Sequence, residues 1–311
     1  MQINELNVNA NGGTELVTRG LFERLGDSLD GIQLISSRVR DIERNKKRIL
    51  HLHDLPEDPE SQHLSNDLSR NRFSALVFVS YWQMQQYIDK LGIPNNHKCF
   101  VIHNAIEPIP QVKKPDPTDK VKLIYTSTPH RGLEILVPVF ENLYEKFDGK
   151  LELDVFSSFN IYGWPERDKV YEPLFDRCRN HPGINYHGFQ PNSVVRQALQ
   201  QAHIFAYPSM WKETFCLAMV EAMSAGCLCV HSDLAALPEI SAGLNHMYRY
   251  SEYMNEHAGV FHNNLEDSIH FLLENKDNMN FSLNKFYVDH RYSWDAVIPQ
   301  WKSLISFVKN D

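Results

Sequence analysis

Short, continuous apolar runs alternate along the chain with stretches whose apolar residues recur at helical spacing. In the first half, ALVFVS (75–80) and KCFVIHN (98–104) are apolar and rich in β-branched residues, as strands are. Between them, YWQMQQYIDKLG carries a helical apolar face and closes on Gly92, a suitable C-cap. In the second half, KLIYTST (122–128), LELDVFS (151–157), IFAYPS (204–209), CLCVHS (227–232) and AGVFHN (258–263) read as strands. The stretches LEILVPVFENLYEKF, SVVRQALQQA and CLAMVEAMSAG read as helices, as do LVTRGLFERLG near the start and SWDAVIPQWKSLISFV near the end. Continuous apolar strands alternating with helices predict parallel sheets covered on both faces.

Residues 108–120, PIPQVKKPDPTDK, break this rhythm. Prolines at 108, 110, 115 and 117 remove backbone donors and fix φ, so the stretch predicts neither helix nor central strand. It reads as a linker between a first domain, 1–107, and a second, 121–292, with 293–311 as a terminal helix. The expected fold class is α/β: two Rossmann-like, doubly wound parallel-sheet domains facing across a cleft. Ligands in such sheets bind beyond the carboxyl ends of the strands. A chain of 311 residues suits about two domains. Its formal net charge of −8 argues against nucleic acid as a partner. No apolar run reaches the roughly 18–20 residues of a membrane span. MQINELNVNANGG has neither a basic nor an apolar leader region, so no signal peptide is expected and the expected location is cytoplasmic, compatible with peripheral association at a membrane. The 5 cysteines show no disulfide or zinc spacing, and Cys227 and Cys229 read as packing residues.

Candidate chemistry concentrates in PSMWKETFCLAMVEAMSAG (208–226). Glu213 falls just after a strand, and Glu221 lies in the helix expected from about Phe215 to Ala225. If wholly helical, their separation spans roughly 12 Å, the reach of a sugar–diphosphate–ribose ligand. Amides at the helix start suit a diphosphate. Arg131, in Thr128-Pro129-His130-Arg131-Gly132, follows the first strand of the second half and could neutralise such a group. Gly12 and Gly13 precede a helix and would let a phosphate or sugar approach the backbone. His51 and His53 alternate after an apolar stretch and read equally as a surface strand pair, or as a metal pair lacking further ligands. Trp211 could stack on a sugar or simply pack.

The words around these residues resemble the retaining glycosyltransferases of the GT-B fold in the large family numbered four. Pro208-Ser209, Glu213 and Glu221-Ala222-Met223-Ser224-Ala225-Gly226 look like that family's Glu-x7-Glu motif. Leu237-Pro238-Glu239, Tyr186-His187-Gly188-Phe189, Phe78-Val79-Ser80, Val101-Ile102-His103-Asn104 and Tyr292-Ser293-Trp294 look like further family stretches. The resemblance spans most of residues 12–309 and is most specific in the second half. It implies a nucleotide-diphosphate sugar donor, a UDP- or GDP-sugar, and a hydroxyl acceptor (glycan, lipid or small molecule). It further implies that Glu221 binds ribose, that Gly188 and Phe189 flank the base, and that Arg131 with Thr214, Phe215, Cys216 and Leu217 lines the diphosphate. By the same resemblance Glu213 contacts the donor sugar, Gly12 and Gly13 form a glycine loop facing the donor, His53 lies near sugar and acceptor, and the terminal helix crosses back to the first domain.

Three positions depart from the family pattern: Thr126 stands where a second cation is usual, Cys216 replaces a glycine, and Ala105 replaces another. The chain has no Asp-x-Asp, so metal-independent transfer with no required cofactor is expected. Gly-x-Gly-x-x-Gly and Gly-Lys-Ser/Thr loops are also lacking, which argues against a dinucleotide oxidoreductase or a P-loop enzyme. The alternatives are a degenerate nucleotide-sugar or glycan binding module and, more remotely, an epimerase or phosphorylase on the same fold.

Overall fold

A computed structural model describes residues 12–96, 98–275 and 282–310. Residues 1–11, most of the stretch MQINELNVNANGG, lie outside them. The chain divides into two compact units, Met1–Glu107 with Arg291–Asp311, and Pro108–His290.

The first unit opens on α1 (Gly13–Leu25) and carries four parallel strands: β1 (Ile32–Ser36), β2 (Lys47–Leu52), β3 (Ala75–Phe78) and β4 (Cys99–Val101), in the order β1-β2-β3-β4. A single turn, α2 (Asp67–Arg70), precedes β3, and α3 (Tyr81–Leu91) follows it. The Gln83 amide donates to Ser80 Oγ at the start of α3, and Gly92 ends it in the left-handed region at φ 62°, as its sequence predicts. The closing helix Trp294–Asn310 packs against α1, and a Cβ on Gly20 would lie 2.2 Å from the Trp294 ring. Lys47 Nζ donates to the Val308 carbonyl at 2.9 Å, satisfying an acceptor at that helix's end.

The second unit contains β5 (Val121–Thr126), α4 (Leu133–Lys146), β6 (Leu151–Phe156), α5 (Glu172–Asn180), β7 (Ile184–Tyr186), α6 (Asn192–Gln201), β8 (Ile204–Tyr207), α7 (Leu217–Ser224), β9 (Leu228–Ser232), α8 (Leu237–Ser241), β10 (His246–Tyr248), α9 (Met254–Glu274) and all but the last two residues of α10 (Ser282–Tyr292). Its sheet is parallel throughout, in the order β10-β9-β8-β5-β6-β7. This is the doubly wound order with its switch point between β5 and β8, where consecutive connections diverge to opposite sides.

The strands at 75, 122, 151, 204 and 227 form where the apolar runs place them. AGVFHN does not: residues 258–263 lie inside α9. Phe261, Leu265, Ile269 and Leu272 are buried at helical spacing across that segment, and a six-residue apolar window is too short to show that period. β1, β2, β7 and β10 form beyond the runs that predict strands. Residues 108–120 form no helix or strand and count with the second unit. They are strapped to it: Lys114 Nζ donates to the Leu199 carbonyl, Gln200 to the Pro110 carbonyl, and the His203 ring to the Pro115 carbonyl. All five cysteines are free, with Cys227 and Cys229 buried.

Candidate functional site

At the switch point of the second unit, the loops leaving β5 and β8 meet. Arg131 sits in a one-turn helix, Pro129–Arg131, that follows β5. Gly132 then turns the chain into α4 at φ 124°, a conformation only glycine adopts without strain. A Cβ there would lie 2.2 Å from the Pro208 carbonyl oxygen, so the backbones of the two loops touch.

Glu213 follows β8, six residues past Tyr207. Arg131 Nη1 donates to Glu213 Oε1 at 2.8 Å, and the Tyr207 hydroxyl donates to the same oxygen. Arg131 Nη2 donates to the Tyr162 hydroxyl at 3.1 Å, and Arg131 Nε is buried with no protein partner. Glu213 is only 5% exposed, so both charges are largely out of water. Burial is the largest influence and works against the guanidinium's charge, but Glu213, Tyr162, Tyr207 and Cys216 together outweigh it and hold the Arg131 pKa well above its ordinary value. Burial beside Glu213 pushes the Tyr207 phenol up as well.

The structure therefore brings Arg131 and Glu213 together as an ion pair, a contact that sequence spacing does not announce. Around them lie further buried polar atoms with no protein partner among the described residues: Thr126 Oγ1 at the end of β5, Thr128 Oγ1 and His130 Nδ1 after it, and Ser157 Oγ after β6. A buried hydroxyl left unbonded is costly, so such a cluster at strand ends fits a polar ligand. Trp211 is half-exposed, and its ring meets that of His130 edge-on at 5.0 Å.

Glu221 is the fifth residue of α7, which starts at Leu217 rather than Phe215. The segment from Glu213 to Cys216 is not helical, so the roughly 12 Å span, which assumed helix throughout, does not hold. Cys216 is the N-cap, where no side chain oxygen bonds the first turn. Burial pushes its thiol up, which keeps it neutral. Thr214 and Phe215 lie in the loop ahead of it. Glu221 accepts from Arg196 Nη1 at 3.0 Å and from Asn192 Nδ2 at 3.2 Å. Burial raises its pKa, with Arg196 opposing. Asn192 and Arg196 stand four apart on α6, a spacing that puts both on one helix face and was their sequence signal. Gly188, past β7, has φ 62°, a conformation that favours glycine, while Phe189 beside it is half-buried.

Gly12, Gly13 and His53 belong to the first unit. Gly12 is the N-cap of α1 at φ −65°, so glycine there supplies room rather than an unusual φ. His53 lies just past β2, with its amide donating to Ser37 Oγ and its Nε2 3.1 Å from His51 Nδ1. Both imidazoles are buried, so this is not a surface strand pair. Among the described residues, no three His, Cys, Asp or Glu side chains gather as metal ligands would.

Burial, chiefly, lowers the pKa of His53 to about 3, and those of His130 and His231 to about 4. In the unfolded chain each returns to about 6.5. Acidification from pH 6.5 toward 4 thus loads protons on the unfolded state first, and stability falls through that window. For His231 the loss is on the order of 3 kcal/mol. Glu221 and Asp54, whose pKa values burial raises, oppose this, but His51, His63, His203, His246 and His257 are lowered by burial as well and act in the same direction as the three. A Tm measured against pH is expected to decline below about 6.5; a flat or rising profile down to pH 4.5 contradicts these burial assignments.

Residues 120–256, within the second unit, match the family model described as Glycosyl transferases group 1. A subunit of the phosphatidylinositol N-acetylglucosaminyltransferase of Homo sapiens is 26% identical over 170 residues, covering 53% of this chain and 33% of the relative. The corresponding protein of Arabidopsis thaliana is 25% identical over 169 residues, covering 53% of this chain and 36% of its own. The chain thus spans about a third of the length of these curated relatives. Among solved structures, a glycosyltransferase from Rickettsia africae aligns over 99% of this chain and 85% of its own, with TM-score 0.70 at 12% identity. Anabaena HepE in complex with UDP-glucose aligns over 85% of this chain and 72% of its own, with TM-score 0.62 at 15% identity. These likenesses establish the fold class, α/β with parallel sheets as in GT-B glycosyltransferases.

Proposed function

We propose that the chain transfers a sugar from a nucleotide-diphosphate sugar, a UDP- or GDP-sugar, to a hydroxyl of a glycan, lipid or small molecule. Transfer proceeds with retention at the anomeric carbon and without a metal. The observation that carries the reading is the Arg131–Glu213 pair at the β5/β8 switch point, ringed by unbonded buried polar atoms. A doubly wound sheet takes its ligand there. The group 1 match and the donor-bound relative of the same fold support it.

The donor diphosphate meets Arg131 Nε and the amides at the start of α7, Glu221 takes the ribose, Gly188 and Phe189 flank the base, and Glu213 faces the sugar. Arg131 also meets the charge that builds on the leaving phosphate, so its effect grows toward the transition state. Glu213, held by two donors already, positions and polarises rather than attacks. The absence of Asp-x-Asp from the sequence supports a site that relies on Arg131 and helix-start amides instead of a cation.

The test is incubation with a panel of UDP- and GDP-sugars in EDTA, following release of nucleoside diphosphate and the anomeric configuration of the product. The account expects one donor to be consumed with retention. A second reading, a binding module without turnover, is favoured by Thr126 at the second-cation position and by the prior engagement of Arg131 with Glu213. Tight nucleotide binding without release from any donor would select it.

A further inference from the structure

Among the described residues, Tyr162 is a partner of Arg131 that comes from neither the β5 nor the β8 loop. It ends a one-turn helix, Phe159–Tyr162, in the connection from β6 to α5. That connection is built as a rigid piece. Ser158 caps the turn, its Oγ accepting from the Asn160 amide at 2.9 Å. Asp168 reaches back across the loop to accept from the Phe159 amide at 2.7 Å and from the Ser158 hydroxyl. Gly163 closes the turn at φ 75°, donating to the Asn160 carbonyl at 2.9 Å. The Tyr162 ring lies 5.4 Å from that of Trp164, which also carries the Arg167 guanidinium 4.3 Å from its ring centre. The Phe159 ring stacks on His130, the residue before Arg131, with centroids 5.1 Å apart. The loop is thus fastened to the Arg131 turn at two points, one aromatic and one a hydrogen bond.

A guanidinium held at one nitrogen still pivots about that bond. Held at Nη1 by Glu213 and at Nη2 by Tyr162, its plane is fixed, and the buried Nε–H is left without a protein acceptor. We propose that Tyr162 is a positioning residue of the donor site: its hydroxyl fixes the plane of Arg131 so that Nε–H is presented to an oxygen of the donor diphosphate. This rests on the reading of the second unit as the donor site, and it adds the β6–α5 connection to that site. The bare nucleoside needs no such donor, so Tyr162 bears on the phosphates alone.

Tyr162→Phe removes the hydroxyl and keeps the ring against Trp164. UDP and GDP are first titrated onto the full-length protein, and the tighter binder is carried forward with its parent nucleoside. Tyr162→Phe is expected to weaken the diphosphate by about 5- to 30-fold, the scale of one hydrogen bond to a charged group. Nucleoside affinity should stay within about twofold, which a merely structural role would not give, while Tm falls by only a few degrees for the lost hydrogen bond. In an Arg131→Met background the same substitution should have no further effect on diphosphate affinity, since its action runs through Arg131. Wild-type diphosphate affinity in Tyr162→Phe, or an equal loss in both backgrounds, overturns the proposal. Failure of the unsubstituted protein to bind either diphosphate overturns the donor-site reading itself, a distinct result.

Discussion

Arg131→Met is expected to lower turnover of the sugar nucleotide by about 10²- to 10³-fold, the range for removing one donor to a developing anion. It is also expected to lower stability by about 3–5 kcal/mol, because it strands a buried charge. Among the described residues, the Glu213 carboxylate keeps only the Tyr207 hydroxyl once Arg131 is gone. For a unit of this size that corresponds to a fall in Tm of roughly 10 °C. The double variant Arg131→Met, Glu213→Gln separates the two effects. Glutamine still accepts from Tyr207 but carries no charge, so most of the lost Tm should return while turnover stays low. Wild-type turnover in the single variant, or recovery of turnover in the double, contradicts the assignment of Arg131 to the donor phosphates.

Gly132→Ala is the second large effect, and it acts through the backbone. At φ 124° an L side chain is strained by about 1–3 kcal/mol. The new Cβ would also fall 2.2 Å from the Pro208 carbonyl oxygen, and neither partner is a flexible side-chain tip. Overpacking of this kind adds about 1–3 kcal/mol. The β5 and β8 loops must part to admit the methyl, which pulls Arg131 away from Glu213. Thermal denaturation should show Tm down by roughly 10 °C, with donor turnover lost alongside it. Gly31→Ala is the comparison: φ is 75°, but nothing lies within 4 Å, so only the backbone strain should appear.

The sequence motif from Pro208 to Gly226 was legible because its chemistry is local: a strand end, a carboxylate, a helix and a closing glycine in fixed order. The parallel sheets were legible for the related reason that strands covered on both faces become continuous apolar runs. The partners of the two carboxylates were not. Tyr162 reaches Arg131 across 31 residues and Arg131 reaches Glu213 across 82, through a sheet order that places β5 between β6 and β8. Spacing along the chain carries no trace of that. Arg196 and Asn192 left a weak trace, the four-residue interval on α6, which points to a shared face but not to Glu221. AGVFHN shows the converse: a short window of valine and phenylalanine imitates a strand until the longer period of α9 is counted.

The central claim is that the second unit holds a nucleoside diphosphate at the ends of β5, β6 and β8. Calorimetric titration of UDP and GDP, with the matching monophosphates and nucleosides, tests it most directly on the full chain and on Glu221→Gln and Arg131→Met. The account predicts one saturable site per chain, with affinity rising from nucleoside to monophosphate to diphosphate. Arg131→Met should erase the gain from the phosphates, while Glu221→Gln should weaken all three ligands by a common factor. Binding that is indifferent to phosphate number, or no binding of any of these ligands, contradicts it.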